Sequence, residues 1–259
     1  MKRLEYKQRE DRGPLHEIIG AALPLLQTLT KQLLETRNHT IEAALIMKLC
    51  LKILWSCTQF SLPVGIDFAA SAPSSPGARL DGGAAEGGGR SDDPALLAHL
   101  SGWVQIMGAV IGLPLPEAGE AGASPAGQPT AAEERAAWPW WKLKKWALQV
   151  ASRWFHRYGM PEYADDESQG FARFFSTTQA PLLLEPVMNT LALKPAGRFC
   201  SSRCTHLSLV FIESAVQIKT TYAALAPHVP SLLVNVVFPL LCLSEDDLEL
   251  FEADPVECV

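Results

Sequence analysis

WPWWKLKKWALQVASRWFHRYG, residues 138–159, holds the pattern from which the rest of the chain can be read. At about 100° per residue, Lys142, Lys145, Gln149, Arg153 and Arg157 fall on one face of a helix. Leu143, Ala147, Val150, Ala151, Trp154, Phe155 and Tyr158 occupy the opposite half. The spacing predicts one amphipathic helix from Pro139 to Tyr158, with Gly159 as a left-handed C-cap and Pro161 after it. Five of the seven tryptophans lie between 138 and 154. That density has three readings: helix packing, a protein-partner surface, and aromatics interleaved with lysines that stack bases and neutralise phosphates. Trp141 and Leu143 are expected to face inward and the lysines to line the wet face. Trp140, Lys142, Lys145 and Arg153 are the candidate protein-binding residues of this helix.

Helical spacing extends to both sides. Leu15, Ile18, Ile19, Ala22, Leu25, Leu26, Leu29, Leu33 and Leu34 recur at three-and-four spacing from Pro14 to Thr36, with Pro24 expected to kink or divide the segment. Asn38 suits the N-cap of a second helix running to about Phe60, with Pro63 as its stop. A third should open at Asp92 or Asp93 and end near Gly112, before Leu113-Pro114-Leu115-Pro116. Further helices are expected at about 165–193, 201–225 and 228–243, then a short acidic one near 245–252. No period-two alternation is long enough to argue for a sheet. Long helices in sequence, each with a wide apolar face, imply an all-α fold of antiparallel helix pairs stacked as a HEAT/armadillo-type α-solenoid. A closed bundle is the alternative. The whole chain, 1–259, is read as one solenoid segment interrupted by flexible loops at 69–94 and 116–137. Those stretches consist almost wholly of Ala, Gly, Pro, Ser and acids and hold little that could offset the entropy of ordering.

Composition narrows the function. Of 259 residues, 48% are hydrophobic and 19% charged, which excludes wholesale disorder. The net charge of −6 argues against a generally basic nucleic-acid binder. The acid is concentrated: Glu245, Asp246, Asp247, Glu249, Glu252, Asp254 and Glu257 have no basic residue among them. This end should create a local negative potential suited to Lys/Arg-rich segments, and all of these but Glu257 are candidate protein-binding residues. The start, MKRLEYKQRE, lacks the apolar stretch of a signal peptide. The longest apolar run, Leu232–Leu243, is broken by Asn235 and Pro239 and is short for a bilayer span, so an intracellular protein with no membrane contact is expected.

No catalytic constellation stands out, and no enzyme activity is expected. The six histidines are spread singly, and no Gly-x-Ser-x-Gly elbow is present. The triple glycine at 87–89 has no preceding strand and no following Gly-Lys-Ser/Thr, so it is not a phosphate loop. Cys200-x₃-Cys204-x-His206 comes nearest to a metal cluster but lacks a matching second half; packing and capping of the helix near Ser201 explain it better. Neither metal nor cofactor is expected.

WPWWKLKKWALQVASRWFHRYGMPE resembles a segment of the importin-beta superfamily, in the branch of importins seven and eight. There a Pro-Trp-Trp-Lys-x-Lys-Lys-Trp run opens a helix ending in aromatic-x-Arg-Tyr-Gly. Residues 10–66, from EDRGPLHEII to WSCTQFSLP, and the stretch VVFPLLCLSEDDLELFEADPVE resemble the same branch in the same order. The resemblance implies a HEAT-repeat nuclear transport receptor that shuttles between nucleus and cytoplasm. Its implied partners are the Ran GTPase, nuclear pore repeat proteins, and basic cargo such as ribosomal proteins or histones, with no direct nucleic-acid contact. Members of the family are several times longer, so this chain is expected to match an internal stretch, the principal Ran-contacting repeats lying ahead of it. A helical interaction scaffold without transport activity is the competing reading.

Overall fold

Side chains that accept from the first free amides set where the helices begin. In the computed structural model, which describes residues 13–36, 40–59, 61–64, 92–115, 128–164, 166, 168–242 and 248, Thr40 Oγ1 accepts from the Ala43 amide at 3.2 Å. Asp93 Oδ1 accepts from the Ala95 amide at 2.9 Å, and Ser201 Oγ from the Cys204 amide at 3.2 Å. These caps open three of the helices in the order α1 (Gly13–Glu35), α2 (Ile41–Thr58), α3 (Pro94–Gly112), α4 (Ala132–Ala137), α5 (Pro139–Tyr158), α6 (Gln169–Phe174), α7 (Ala180–Leu191), α8 (Ser202–Val216), α9 (Lys219–Leu225), α10 (Val229–Leu232) and α11 (Phe238–Leu241). No strand occurs among the described residues.

The helices form two rows. In one row α5 lies between α2 and α8; in the other α3 packs on α1 and α7, and α7 on α9. Ser101, Gly108 and Gly112 along α3 meet Gln179, Leu183 and Pro186 in the same order, so neighbours within that row run parallel. In the other row the C-terminal ends of α2 and α5 meet: Trp154 Nε1 donates to Thr58 Oγ1 (2.9 Å) and the Tyr158 hydroxyl to the Thr58 carbonyl (2.8 Å). Across the rows the direction reverses, because Lys144 near the start of α5 reaches the Ile111 carbonyl near the end of α3. The result is three stacked pairs, α1–α2, α3–α5 and α7–α8, with α9 laid against the last. This is the all-α stack of helix pairs expected of a solenoid. The core runs between the rows, where Trp103, Trp154, Phe155, Phe171, Phe175 and Phe211 are all fully buried. Phe155 stands 5.0 Å from Phe211 and 5.4 Å from Phe175, ring centre to ring centre.

Several expected boundaries are corrected. Thr40, not Asn38, caps α2; residues 37–39 lie outside the described ones. Pro24 does not divide α1. Gly159 is not left-handed (φ −92°, ψ 0°); what it needs is space, since a Cβ there would sit 2.6 Å from Phe175 Cδ1. Helix 165–193 starts at Gln169 and contains a π-helical turn, Phe175–Gln179. A second such turn, Leu233–Val237, lies in the last helix. Each ends two residues before a proline, Pro181 or Pro239, and its extra residue absorbs the amide that the proline cannot supply.

The break expected between 225 and 228 falls instead at Gln217–Ile218. From Lys219 to Leu241 the chain is helical throughout, with Ala226–His228 as a tight 3₁₀ turn that takes in Pro227. That 23-residue stretch and Pro94–Gly112 are each long and apolar enough to cross a bilayer, which corrects the shorter run read from sequence. Pro94–Gly112 spends that apolarity in the core, through Leu96, Leu100, Trp103, Val104, Met107 and Val110. The loop expected at 116–137 ends in α4, and Gln128 before it is buried. Residues 65–91, 116–127, 243–247 and 249–259 lie outside the described ones.

Candidate interaction face

The α2–α5–α8 row carries most of the described positive charge. Lys48 and Lys52 project from α2, Lys142, Lys145, Arg153 and Arg157 from α5, and Arg203 from α8, whereas these three helices hold only Glu42 and Glu213 as carboxylates. The half-buried indoles of Trp55 and Trp146 stand between them, 6.3 Å apart and edge to face at 69°. The Lys52 and Lys145 ammoniums lie 5.6 and 4.8 Å from the centre of the Trp146 ring, and the Arg153 guanidinium 5.8 Å from Trp55. Arg203 donates to Gln149 Oε1 at 3.3 Å. Burial and the neighbouring cations Arg203, Lys142 and Lys52 hold the Lys145 ammonium below the ordinary lysine range, with Cys204 opposing them. The structure thus brings together Lys142, Lys145 and Arg153 from the sequence reading.

It does not place Trp140 with them. Trp140 is 3% exposed, inside the pair stack, which corrects its assignment as a partner-binding residue. The helical wheel itself contains the reason: position 140 lies about 200° from 142, on the apolar half. Position 144 lies about 200° from 142 in the other direction, so Lys144 is also inside, and counting it among the wet lysines missed this. Glu245, Asp246, Asp247, Glu249, Glu252 and Asp254 lie outside the described residues.

Lys144 Nζ donates to the Ile111 carbonyl at 2.6 Å, where the last carbonyls of α3 lack helical partners. Burial lowers its pKa to about 8. It borders a cavity of about 340 Å³ between the C-terminal ends of α3 and α7, lined also by Trp141, Gln128, Leu113, Leu193 and Phe199. Trp141 Nε1 donates to Gln128 Oε1 at 2.6 Å and its ring meets Phe199 edge-on, so the polar end of this inward tryptophan is satisfied. Cys200 and Cys204 are buried with thiol pKa values raised by burial, and His206 points to solvent. Among the described residues no group of His, Cys, Asp and Glu is gathered for a metal ion.

No protein-family model matches the chain, and no solved structure does. Curated relatives do. The chain is 28% identical over 255 residues to an importin beta-like SAD2 homolog of Arabidopsis thaliana, a match covering 98% of this chain and 21% of that protein. Against importin-8 of Mus musculus it is 25% identical over 261 residues, covering 100% of this chain and 22% of the other. A yeast protein, nonsense-mediated mRNA decay protein 5 of Saccharomyces cerevisiae, is 33% identical over 133 residues, or 49% of this chain and 12% of its own. The chain spans about a fifth of the length of the relatives that match it end to end. Along its whole length, therefore, it resembles the importin-beta superfamily in the branch that holds importin-8.

Proposed function

We propose that this chain is a helical-repeat part of a nuclear transport receptor that mediates Ran-dependent import of basic protein cargo. The observation that supports the reading is end-to-end similarity to importin-8 and to an importin beta-like protein, on a stack of helix pairs. In this reading the protein does no covalent chemistry. It shuttles between cytoplasm and nucleus, touches pore repeat proteins and the Ran GTPase, and carries ribosomal proteins or histones. Glu245, Asp246, Asp247, Glu249, Glu252 and Asp254 are the proposed contacts for such cargo, because opposite charge steers a basic segment to an acidic one. Membranes and nucleic acids are not among its proposed direct partners.

The test is retention of the chain on immobilised pore-repeat peptides and on GTP-loaded Ran, with GDP-loaded Ran as control. Binding to the pore repeats, and preference for the GTP form, are the expected outcomes. Failure to bind either would overturn the transport reading. Amide replacements at Glu245, Asp246, Asp247 and Glu249 should weaken low-salt binding of a histone without loss of helical signal; unchanged binding removes the acidic end from the cargo contact.

A further inference from the structure

Like charges this close repel, and on the α2–α5–α8 face the described residues supply little to offset it. Among those residues, no carboxylate pairs with Lys52, Lys142, Lys145, Arg153 or Arg203. Glu42 and Glu213 are each ten positions along their helices from Lys52 and Arg203, about 15 Å of rise. The cations instead rest on indole rings, where a quadrupole gives only partial compensation. The Arg153 Nε is buried without a hydrogen-bond acceptor. A face so arranged lacks acceptors.

We infer that the α2–α5–α8 face is a binding site for an acidic, extended peptide segment of a protein partner, whose carboxylates pair with Lys52, Lys142, Lys145, Arg153 and Arg203 in succession. Three observations select this occupant. Lys142, Lys145 and Arg153 follow one another along α5, with Lys52 and Arg203 flanking Lys145, so the charge extends beyond the footprint of a single small anion. From Lys142 to Arg153 the helix rises about 16 Å, the span of about five extended residues. The Trp146 and Trp55 rings already carry cations and pack edge to face, so they do not offer open platforms for stacking bases. The inference does not depend on the transport reading: it concerns a cationic site, and would stand for a scaffold with no contact to Ran.

The experiment titrates the full chain into a fluorescein-labelled twelve-residue peptide of alternating Glu and Ser, read by polarisation. The matching Gln–Ser peptide and a single-stranded oligonucleotide of equal charge serve as comparisons. The acidic peptide should bind at about 50 mM salt and weaken tenfold or more at about 300 mM, because exposed pairs are screened. The triple variant Lys52→Ala, Lys145→Ala, Arg203→Ala should weaken it at least tenfold, and Lys31→Ala with Lys219→Ala, away from this row, less than twofold. In the unaltered protein, carbodiimide coupling should join peptide carboxylates to Lys52, Lys142 and Lys145, a readout independent of how any variant folds. Equal binding of the Gln–Ser peptide, tighter binding of the oligonucleotide, or coupling spread evenly to Lys31, Lys194 and Lys219 would each overturn the proposal.

Discussion

Replacing Lys144 with Met should alter how stability varies with pH. Lys144 is 5% exposed, and its ammonium donates to the Ile111 carbonyl, with no carboxylate partner among the described residues. Burial pulls its pKa from 10.5 to about 8, helped by Arg198 and opposed by Cys204 and Cys200. Between those values the unfolded chain holds a proton that the folded protein has released, so this residue makes stability rise with pH. A gap of about 2.5 pH units at 1.36 kcal/mol each is worth about 3 kcal/mol, present in full above pH 10.5 and absent below about pH 8. The Cys204 thiol, raised to about 11, and the raised Cys50, Cys57 and Cys200 act in the opposite sense above pH 9. Both proteins contain them, so they largely cancel in the difference. Near pH 7 the variant escapes the cost of a buried charge but leaves the Ile111 carbonyl without its donor, worth about 1–3 kcal/mol, and the two effects offset. Urea unfolding followed by circular dichroism, under reducing conditions at several values between pH 7 and 10, measures the difference directly. The parent should gain about 2–3 kcal/mol on Lys144→Met by pH 10. A difference constant to within about 0.5 kcal/mol would refute the assignment of Lys144 as a buried lysine that loses its proton.

Trp154→Ala removes a fully buried indole, its hydrogen bond to Thr58 and its edge contact with Phe171, and should cost about 3–5 kcal/mol in the same assay. Lys142→Ala, on the exposed side of α5, should cost less than about 1 kcal/mol; equal losses would mean that the helix faces are misassigned. Gly159→Ala drives a methyl into Phe175 and the Phe155 backbone and should destabilise by about 1–3 kcal/mol, whereas a neutral result would show that the π-helical turn starting at Phe175 yields easily. His99, buried and accepting from Trp103 Nε1 at 3.2 Å, has its pKa lowered by burial from 6.5 to about 4. The unfolded chain gains that proton first on acidification, so the parent should lose about 2 kcal/mol between pH 7 and 5 that His99→Gln does not lose. Equal losses in the two proteins, compared by urea midpoints, would remove His99 from the acid response.

The periodicity of α5 alone specified much of this protein. With 3.6 residues per turn, the positions of Leu143, Ala147, Val150, Trp154 and Phe155 leave a helix only one way to face, and all five are buried. The start of α3 was legible as Asp92 or Asp93, and Asp93 is the cap, because capping is local chemistry settled by neighbours in the chain. The cationic side of α5 was legible for the same reason. Its partners were not. Lys52 and Trp55 approach Trp146 and Arg153 from more than ninety positions away in sequence, and Arg203 lies 54 from Gln149, so stacking of α2 and α8 on α5 is what assembles the face. Trp140 and Lys144 show the complementary case: a local motif of aromatics and lysines reads as surface. A long lysine enters the core only because a particular carbonyl, that of Ile111 on α3, waits there to receive it. Where helices turn, the continuation through Pro227 and Pro230 depended on tertiary packing of Leu225, Leu232 and Val236. Local periodicity determines which side of each helix is buried; only the stack determines which distant charges and rings share the side left outside.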